Sequence, residues 1–266
     1  MDEPRNALPA YKHQVFPSAA LEMSLVQVRY PPVARFKDSA RLGSLSEALA
    51  QQYPLFTTEQ AMNLVVMPQG VGTAPGGDVL RFTSIDNTWS VTLTGEFVSL
   101  ETRSYSDIDT FVERFTAVLG LVGEHLRIRY QLRFGLRYVN EFRHDKGTTY
   151  AGWQGLLNPE FIGSGGAWGI DGTVEQTVHE VRTRRSDGTL LVRHGFLSGT
   201  TVAPTGRAQP KNGPFYLLDL DYYDESAVAF EPAPAQRMRA YNNVLYSIFR
   251  FCIGDGELFQ ALGGQK

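Results

Sequence analysis

Between Leu126 and Arg143 the chain reads LRIRYQLRFGLRYVNEFR. Its even positions, Leu126, Ile128, Tyr130, Leu132, Phe134, Leu136, Tyr138, Asn140 and Phe142, are apolar or aromatic except for Asn140. Its odd positions carry Arg127, Arg129, Gln131, Arg133, Gly135, Arg137, Val139, Glu141 and Arg143. Successive strand side chains point to opposite faces, so this parity predicts one long strand with a greasy face and an arginine face. Just upstream, Ile108, Phe111, Val112, Phe115, Val118, Leu119, Val122 and Leu126 fall at helical spacing. Ser106 is the expected cap of that helix, with Asp107 and Asp109 opposing the positive end of its dipole. The helix is expected to run straight into the arginine strand and cover its apolar face.

The remaining pattern places further elements in order. A strand is expected over 21–30, stopped by Pro31-Pro32. Ser44 with Glu47 makes a capping box for a short helix. Thr57 with Gln60 suggests a further helical turn, and the Gly/Pro-rich run 68–78 reads as a loop. Strands follow over 79–84, 88–94 and 95–105, with Asp86-Asn87 as a tight turn. Residues 144–172 interrupt the pattern. Strands over 174–184 and 189–197 meet at the hairpin signal Asp187-Gly188, and a polar loop separates them from a strand over 215–223. Pro232 and Pro234 introduce a final helix with the stripe Met238, Tyr241, Val244, Leu245, Ile248, Phe249 and Cys252.

The expected fold class is therefore α+β: two half-domains, each an antiparallel sheet crossed by one long helix. Residues 1–20 form an N-terminal arm, 21–145 the first half, 146–172 a connecting segment and 173–266 the second half.

Composition changes this picture little. The chain has 266 residues, a net charge of −3 and 42% hydrophobic content, enough for a sizeable core without staples. There is no global pull towards nucleic acid or acidic lipid. The bases are uneven in kind, however: 20 of the 25 are arginine, five of them in the opening stretch. One cysteine, Cys252, allows no internal disulfide and reads as a buried thiol. The sequence suggests neither a secretory signal nor a membrane span. A cytoplasmic protein with no membrane association is the expectation.

Standard catalytic motifs are sparse. The chain carries no Walker-type phosphate loop, and Trp168 stands where a dinucleotide fingerprint begun at Gly163 and Gly165 needs glycine. No metalloprotease helix occurs, and GFLSG has its serine one place late for a nucleophile elbow. Asp219 and Asp221 share one strand face and could hold a divalent cation, with His179 or His194 as a further group. The competing reading pairs these acids with Arg182, Arg184 and Arg193 across the sheet. No cofactor is implied.

The arginine face supports two readings. Same-face neighbours along a strand lie roughly 6–7 Å apart, a phosphate-like spacing. Arg127, Arg129, Arg133 and Arg137 could thus track a nucleic-acid backbone, with Tyr130 or Tyr138 for stacking. Alternatively they pair with acids such as Glu96 or Glu101. Asn140 stands where a core residue belongs, so its amide must be satisfied by a neighbouring segment or a ligand. The candidate binding residues are Arg127, Arg129, Arg133, Arg137, Tyr138 and Asn140.

The run Gly135-Leu136-Arg137-Tyr138-Val139-Asn140 resembles the Gly-Leu-Arg-Tyr-Ile/Val-Asn strand of a sporadically distributed bacterial protein family of about this length. The early strand LEMSLVQVRYPP, the helix entry TRSYSDIDTFVERF and the long final helix are similar too. The glycine-rich 163–172 segment departs from the pattern. The resemblance implies no established catalytic activity and a place in accessory loci such as defence or toxin–antitoxin systems. The functional expectation is a non-enzymatic binding or regulatory protein with a protein partner. A nucleic-acid-binding protein using the arginine face is the alternative, and a metal-dependent hydrolase at Asp219 and Asp221 a lesser one.

Overall fold

The computed structural model describes residues 11–18, 20–67, 70–163, 172–199 and 212–265. The fold is α+β. Its largest feature is a nine-stranded sheet of β1 (Leu21–Arg29), β2 (Leu55–Met67), β3 (Gly70–Thr83), β4 (Trp89–Leu93), β5 (Phe97–Thr102), β7 (Arg133–Phe142), β8 (His179–Arg185), β9 (Gly188–Leu197) and β10 (Phe215–Asp224), in the order β2-β3-β4-β5-β1-β7-β10-β9-β8. A two-stranded ladder joins β6 (Tyr130–Gln131) to β11 (Val228–Ala229). The helices are α1 (Ser39–Ala50), α2 (Ile108–Leu126), α3 (Pro159–Ile162), α4 (Ala235–Ile253) and α5 (Glu257–Ala261). The chain forms two compact units: residues 1–22, 137–222 and 240–266, and residues 23–136 and 223–239.

In the second of these units, pairing of β3, β4, β5 and β1 sets Val26 against Leu100, Val28 against Val98, and Val91 against Leu100. All of these side chains are fully buried, each contributing roughly 1.5–3 kcal/mol on leaving water. Helix α2 packs on β5 and on α1 through the apolar stripe expected from its spacing, Phe111, Phe115, Val118, Leu119 and Val122. Its cap is one residue later than the sequence suggests. Asp107 accepts from the Thr110 amide at 2.7 Å, and Ser106 instead donates to Asp107 at 2.7 Å. These bonds hold the Asp107 carboxyl below the usual carboxylate range.

In the other unit, Tyr216, Leu218, Leu220 and Tyr222 form the buried face of β10. Tyr222 meets Tyr241 of α4 at 4.3 Å between rings, and Phe142 of β7 stacks on Phe249 at 6.0 Å. From residues 11–18 of the expected arm, Phe16 is buried in this core, edge-on to Phe249 and Phe259. Residues 1–10 lie outside the described residues.

Several sequence expectations need correction. Residues 126–143 are not one strand. Leu126 closes α2, Arg127 turns the chain in a left-handed conformation (φ 53°, ψ 49°), β6 is two residues long, and only β7 is a sheet strand. Alternation over Arg127–Arg129 is also compatible with a helix exit, and the 19-residue α2 uses Leu126 as its last buried stripe residue. Residues 57–60 are strand rather than helix, and from Gly70 the supposed loop is strand too. Leu55–Met67 and Gly70–Thr83 form a long hairpin, with Thr57 opposite Arg81 and Met67 opposite Gly70. Its β-branched Thr57, Thr58, Val65 and Val66 favour the extended chain. The first short helix begins at Ser39, capped by Asp38, rather than at Ser44. Within 144–163 the chain is packed rather than merely connective, burying Tyr150, Trp153, Leu156, Leu157, Phe161 and Ile162. The glycines at 165–170 fall outside the described residues.

Among the described residues, no helix is long and apolar enough to cross a membrane.

Candidate anion-binding groove

The left-handed turn at Arg127 creates the site. The Arg127 amide closes α2 on the Gly123 carbonyl at 2.9 Å, and the chain then reverses towards β6. The Arg129 carbonyl accepts from the Phe230 amide at 2.9 Å, and Tyr130 pairs with Ala229, which pins this segment in place. Opposite runs the segment after β1. Pro31-Pro32 ends that strand because proline supplies no ladder amide, and Ala34–Lys37 forms one 3-10 turn.

Between the two lies a groove of about 310 Å³ lined by Pro31–Arg35 and Leu126–Tyr130. Its apolar lining comes from Pro31, Pro32, Val33, Leu126 and Ile128. Arg35, Arg127, Arg129 and Tyr130 complete the lining, and Tyr130 is 58% exposed. Among the described residues none of the three guanidiniums makes an ion pair or a side-chain hydrogen bond. Among the described residues the lining includes no carboxylate, histidine, serine, threonine or cysteine. Such a set offers planar, bidentate donors for phosphate or carboxylate oxygens and an aromatic face beside them.

Two of the six candidate binding residues, Arg127 and Arg129, belong to this groove. The others are placed elsewhere. Arg133 lies over the Tyr223 ring at 4.6 Å and donates to Gln27 at 3.4 Å. Its guanidinium crosses Gly135 so closely that a Cβ there would sit 2.5 Å from Nη1. Glycine at the head of the Gly135–Asn140 run leaves room for that guanidinium, which a larger residue would displace.

Arg137 forms a bidentate pair with Asp219, with Nε and Nη2 each 2.7 Å from a carboxylate oxygen. Arg193 approaches the same carboxylate at 3.7 Å and pairs with Glu180 at 2.7 Å. The result is a charge ladder over β7, β10, β9 and β8. Hydrogen bonding to Asp219 raises the Arg137 pKa against the opposing effect of burial. Tyr138 donates to Asn242 Oδ1 at 2.9 Å, and the Asn140 amide donates to the Leu218 carbonyl at 3.2 Å, all buried. Asn140 thus satisfies itself within the fold and joins β7 to β10. The continuous arginine face of the sequence reading is not formed, and Glu101 pairs with Arg103 at 3.6 Å.

Asp219 of the proposed metal pair is committed otherwise. Asp219 is 5% exposed and held by arginine. Among the described residues no group of three or more His, Cys, Asp or Glu side chains could hold a metal ion. His179 and His194, weighed as helpers of that site, instead stack on each other at 5.0 Å. His194 hydrogen-bonds through Nδ1 to the Tyr216 hydroxyl at 2.8 Å, and Tyr216 donates to the Phe161 carbonyl. Burial, with a lesser contribution from His179, pushes the His194 pKa down to about 4. Burial raises the Tyr216 phenol well above its ordinary value. Burial does the same to the Cys252 thiol.

Arg35 is the groove residue that sequence reasoning missed. Its available signal was position: a basic turn immediately after a strand stopped by two prolines. No family model matches the chain, and a search of curated proteins finds no match.

Proposed function

We propose that the protein acts by binding rather than turnover, and that an anionic partner docks in the Arg35–Arg127–Arg129 groove. One observation carries this reading: three arginines line one groove and, among the described residues, none of them has an acidic partner, whereas Arg137, Arg143, Arg193 and Arg250 all do. Unneutralised cations clustered at one place repel one another, and an anion removes that repulsion. The left-handed Arg127 supports the same reading, because non-glycine residues at positive φ concentrate at functional positions. The resemblance carried by Gly135–Asn140 supports reading it as a binding protein of a bacterial accessory system of the defence or toxin–antitoxin kind, within the cytoplasm. In this reading the chain comprises two half-domains, each an antiparallel sheet served by one long helix, α2 or α4.

A second reading makes the anion a single-stranded nucleic acid. The observation that favours it is Tyr130, more than half exposed beside Arg129. A base stacked on such a ring contributes about 1–3 kcal/mol.

The test is fluorescence anisotropy with a labelled single-stranded RNA and a labelled polyaspartate peptide, at low and high salt. Both readings require binding that salt weakens and that Arg127→Glu/Arg129→Glu abolishes. Binding of RNA but not peptide, weakened by Tyr130→Ala, selects the second. Turnover of any nucleic acid or nucleotide that Asp221→Ala removes would overturn the binding proposal.

A further inference from the structure

Among the described residues, strand β8 is the last strand of the large sheet on its side, and residues Glu180–Arg185 are exposed on both faces. Val178 and Val181 are 63% and 53% exposed. Its seven residues include three arginines, one valine and one threonine. Edge strands present unpaired backbone groups, and natural ones are kept short, bulged, charged or covered.

Which backbone groups are unpaired follows from the register. The Thr177 amide donates to the Phe196 carbonyl, and the Ser198 amide donates to the Glu175 carbonyl. The pairing then continues without a shift through Gln176 opposite Leu197, His179 opposite His194 and Arg185 opposite Gly188. In an antiparallel ladder hydrogen-bonded and non-hydrogen-bonded pairs alternate. Odd-numbered residues of β8 therefore bond to β9, and the amides and carbonyls of Glu180, Arg182 and Arg184 face outward.

The side chains at these outward positions share one face. Glu180 is engaged by Arg193 at 2.7 Å. Arg182 and Arg184 make no ion pair or side-chain hydrogen bond among the described residues. Arg185, by contrast, is tied to Asp187 and to the Tyr222 hydroxyl. The free edge thus joins three outward-facing peptide groups to two unneutralised guanidiniums roughly 6–7 Å apart.

We propose that the β8 edge takes up an extended acidic segment of a protein partner as an added strand. A second copy of this chain fits less well, because no antiparallel self-pairing gives both arginines a carboxylate. Centred on Thr183 it sets Arg182 against Arg184, centred on Arg182 it sets that residue against its own copy, and centred on Val181 it pairs Arg182 with Glu180, which Arg193 already engages, and leaves Arg184 facing Val178. A partner strand with carboxylates opposite Arg182 and Arg184 reverses that sign, because cross-strand side chains lie ~4.5–5.5 Å apart. An apolar residue opposite Val181 would cover its exposed side chain. A neutral or basic one fits opposite Glu180. The occupant is thus specified by a period-two code of acid, spacer, acid, apolar, neutral-or-basic at successive positions facing Arg184 to Glu180. Main-chain bonds supply affinity in this mode and alternate side chains supply specificity.

The experiment uses the full chain and labelled peptides carrying that code, read by fluorescence anisotropy. Expected results are saturable binding, at least about tenfold weaker with Arg182→Glu/Arg184→Glu, and recovered by that variant with a peptide whose acids are replaced by lysines. Both arginines are exposed, so circular dichroism is expected to show an unchanged fold. A peptide N-methylated at alternate residues is expected to lose binding, because it cannot complete the ladder. Equal binding by the N-methylated peptide would refute strand addition, and so would indifference to the charge reversal. A dimer in sedimentation that the β8 variant abolishes would replace the acidic partner with a second copy and overturn the proposal. The groove variant Arg127→Glu/Arg129→Glu separates this idea from the previous one. It is expected to leave the coded peptide's affinity unchanged, and loss of binding there instead would move the peptide to the groove.

Discussion

Replacing Arg127 with glycine separates what this residue does for the fold from what it does in the groove. Arg127 occupies the left-handed region at φ 53°, ψ 49°, one of two non-glycine positive-φ residues among those described, the other being Asn87. Holding an L-residue there costs about 1–2 kcal/mol, which glycine does not incur. Glycine returns part of that gain through the greater freedom of its unfolded chain, about 0.4–1 kcal/mol. The side chain is exposed and makes no hydrogen bond or ion pair among the described residues, so its removal forfeits no contact. The cap bond to the Gly123 carbonyl is made by the backbone and survives. The net expectation for Arg127→Gly is unchanged stability or a gain of up to ~1 kcal/mol, read as roughly 2–4 °C in Tm for a chain near this size. Ligand affinity should fall all the same. Each phosphate contact contributes about 0.7 to the slope of log K against log salt for single strands. Three arginines then give a slope of about −2, and Arg127→Gly about −1.4. Thermal melting and salt-dependent anisotropy on one preparation measure both quantities. A destabilisation of more than ~1 kcal/mol would show that Arg127 is structural, contrary to the reasoning here.

Other consequences can be measured on the same protein. Asp219→Asn removes the carboxylate that receives two 2.7 Å bonds from Arg137. It should cost about 2–4 kcal/mol in urea unfolding, since charge-assisted bonds are each worth about 1.5–3 and the arginine can partly turn to water. A cycle with Arg137→Met should show coupling of at least ~1 kcal/mol, and additivity would deny the pair its role. His194 carries a pKa near 4 in the folded chain against about 6.5 when unfolded. The unfolded chain therefore binds the extra proton first, and stability should fall by roughly 3 kcal/mol between pH ~6.5 and ~4. His194→Phe should flatten that profile, and a profile identical to that of the parent would refute the assignment. Asp107→Ala should cost about 0.5–2 kcal/mol through loss of the α2 cap. Because the Asp107 carboxyl is held below its ordinary range, that contribution is present above the unfolded value and lost as pH falls through the lowered one.

Periodicity made much of the fold legible. The stripe of α2 and the alternation of β10 each encode one buried face, so their helix and strand follow from spacing alone. The strand over Arg133–Phe142 was legible for the same reason. The mistakes occur where spacing is degenerate. Leu126, Ile128 and Tyr130 continue a strand parity, but Leu126 also completes a helical stripe, and the helix takes it. At Thr57–Gln60 and 70–78 the turn-forming composition was outweighed by the pairing of two long strands. The groove was half legible. Arg127 and Arg129 stood out by charge, but Arg35 lies more than ninety residues away, and only the chain reversal after α2 brings it opposite them. Arg137 and Asn140 look functional in sequence because they are polar in an apolar run. Their partners, Asp219 and the Leu218 carbonyl, come from a strand about eighty residues on, beyond what local pattern can register.

The most direct measurement of the central proposal is the salt dependence of anion binding by the parent chain and by Arg127→Glu/Arg129→Glu. With labelled single-stranded RNA as probe, the parent is expected to bind at low salt with a slope of about −2, and the double variant to bind without measurable affinity while retaining its fold. Equal affinity and equal slope in the two proteins would contradict it.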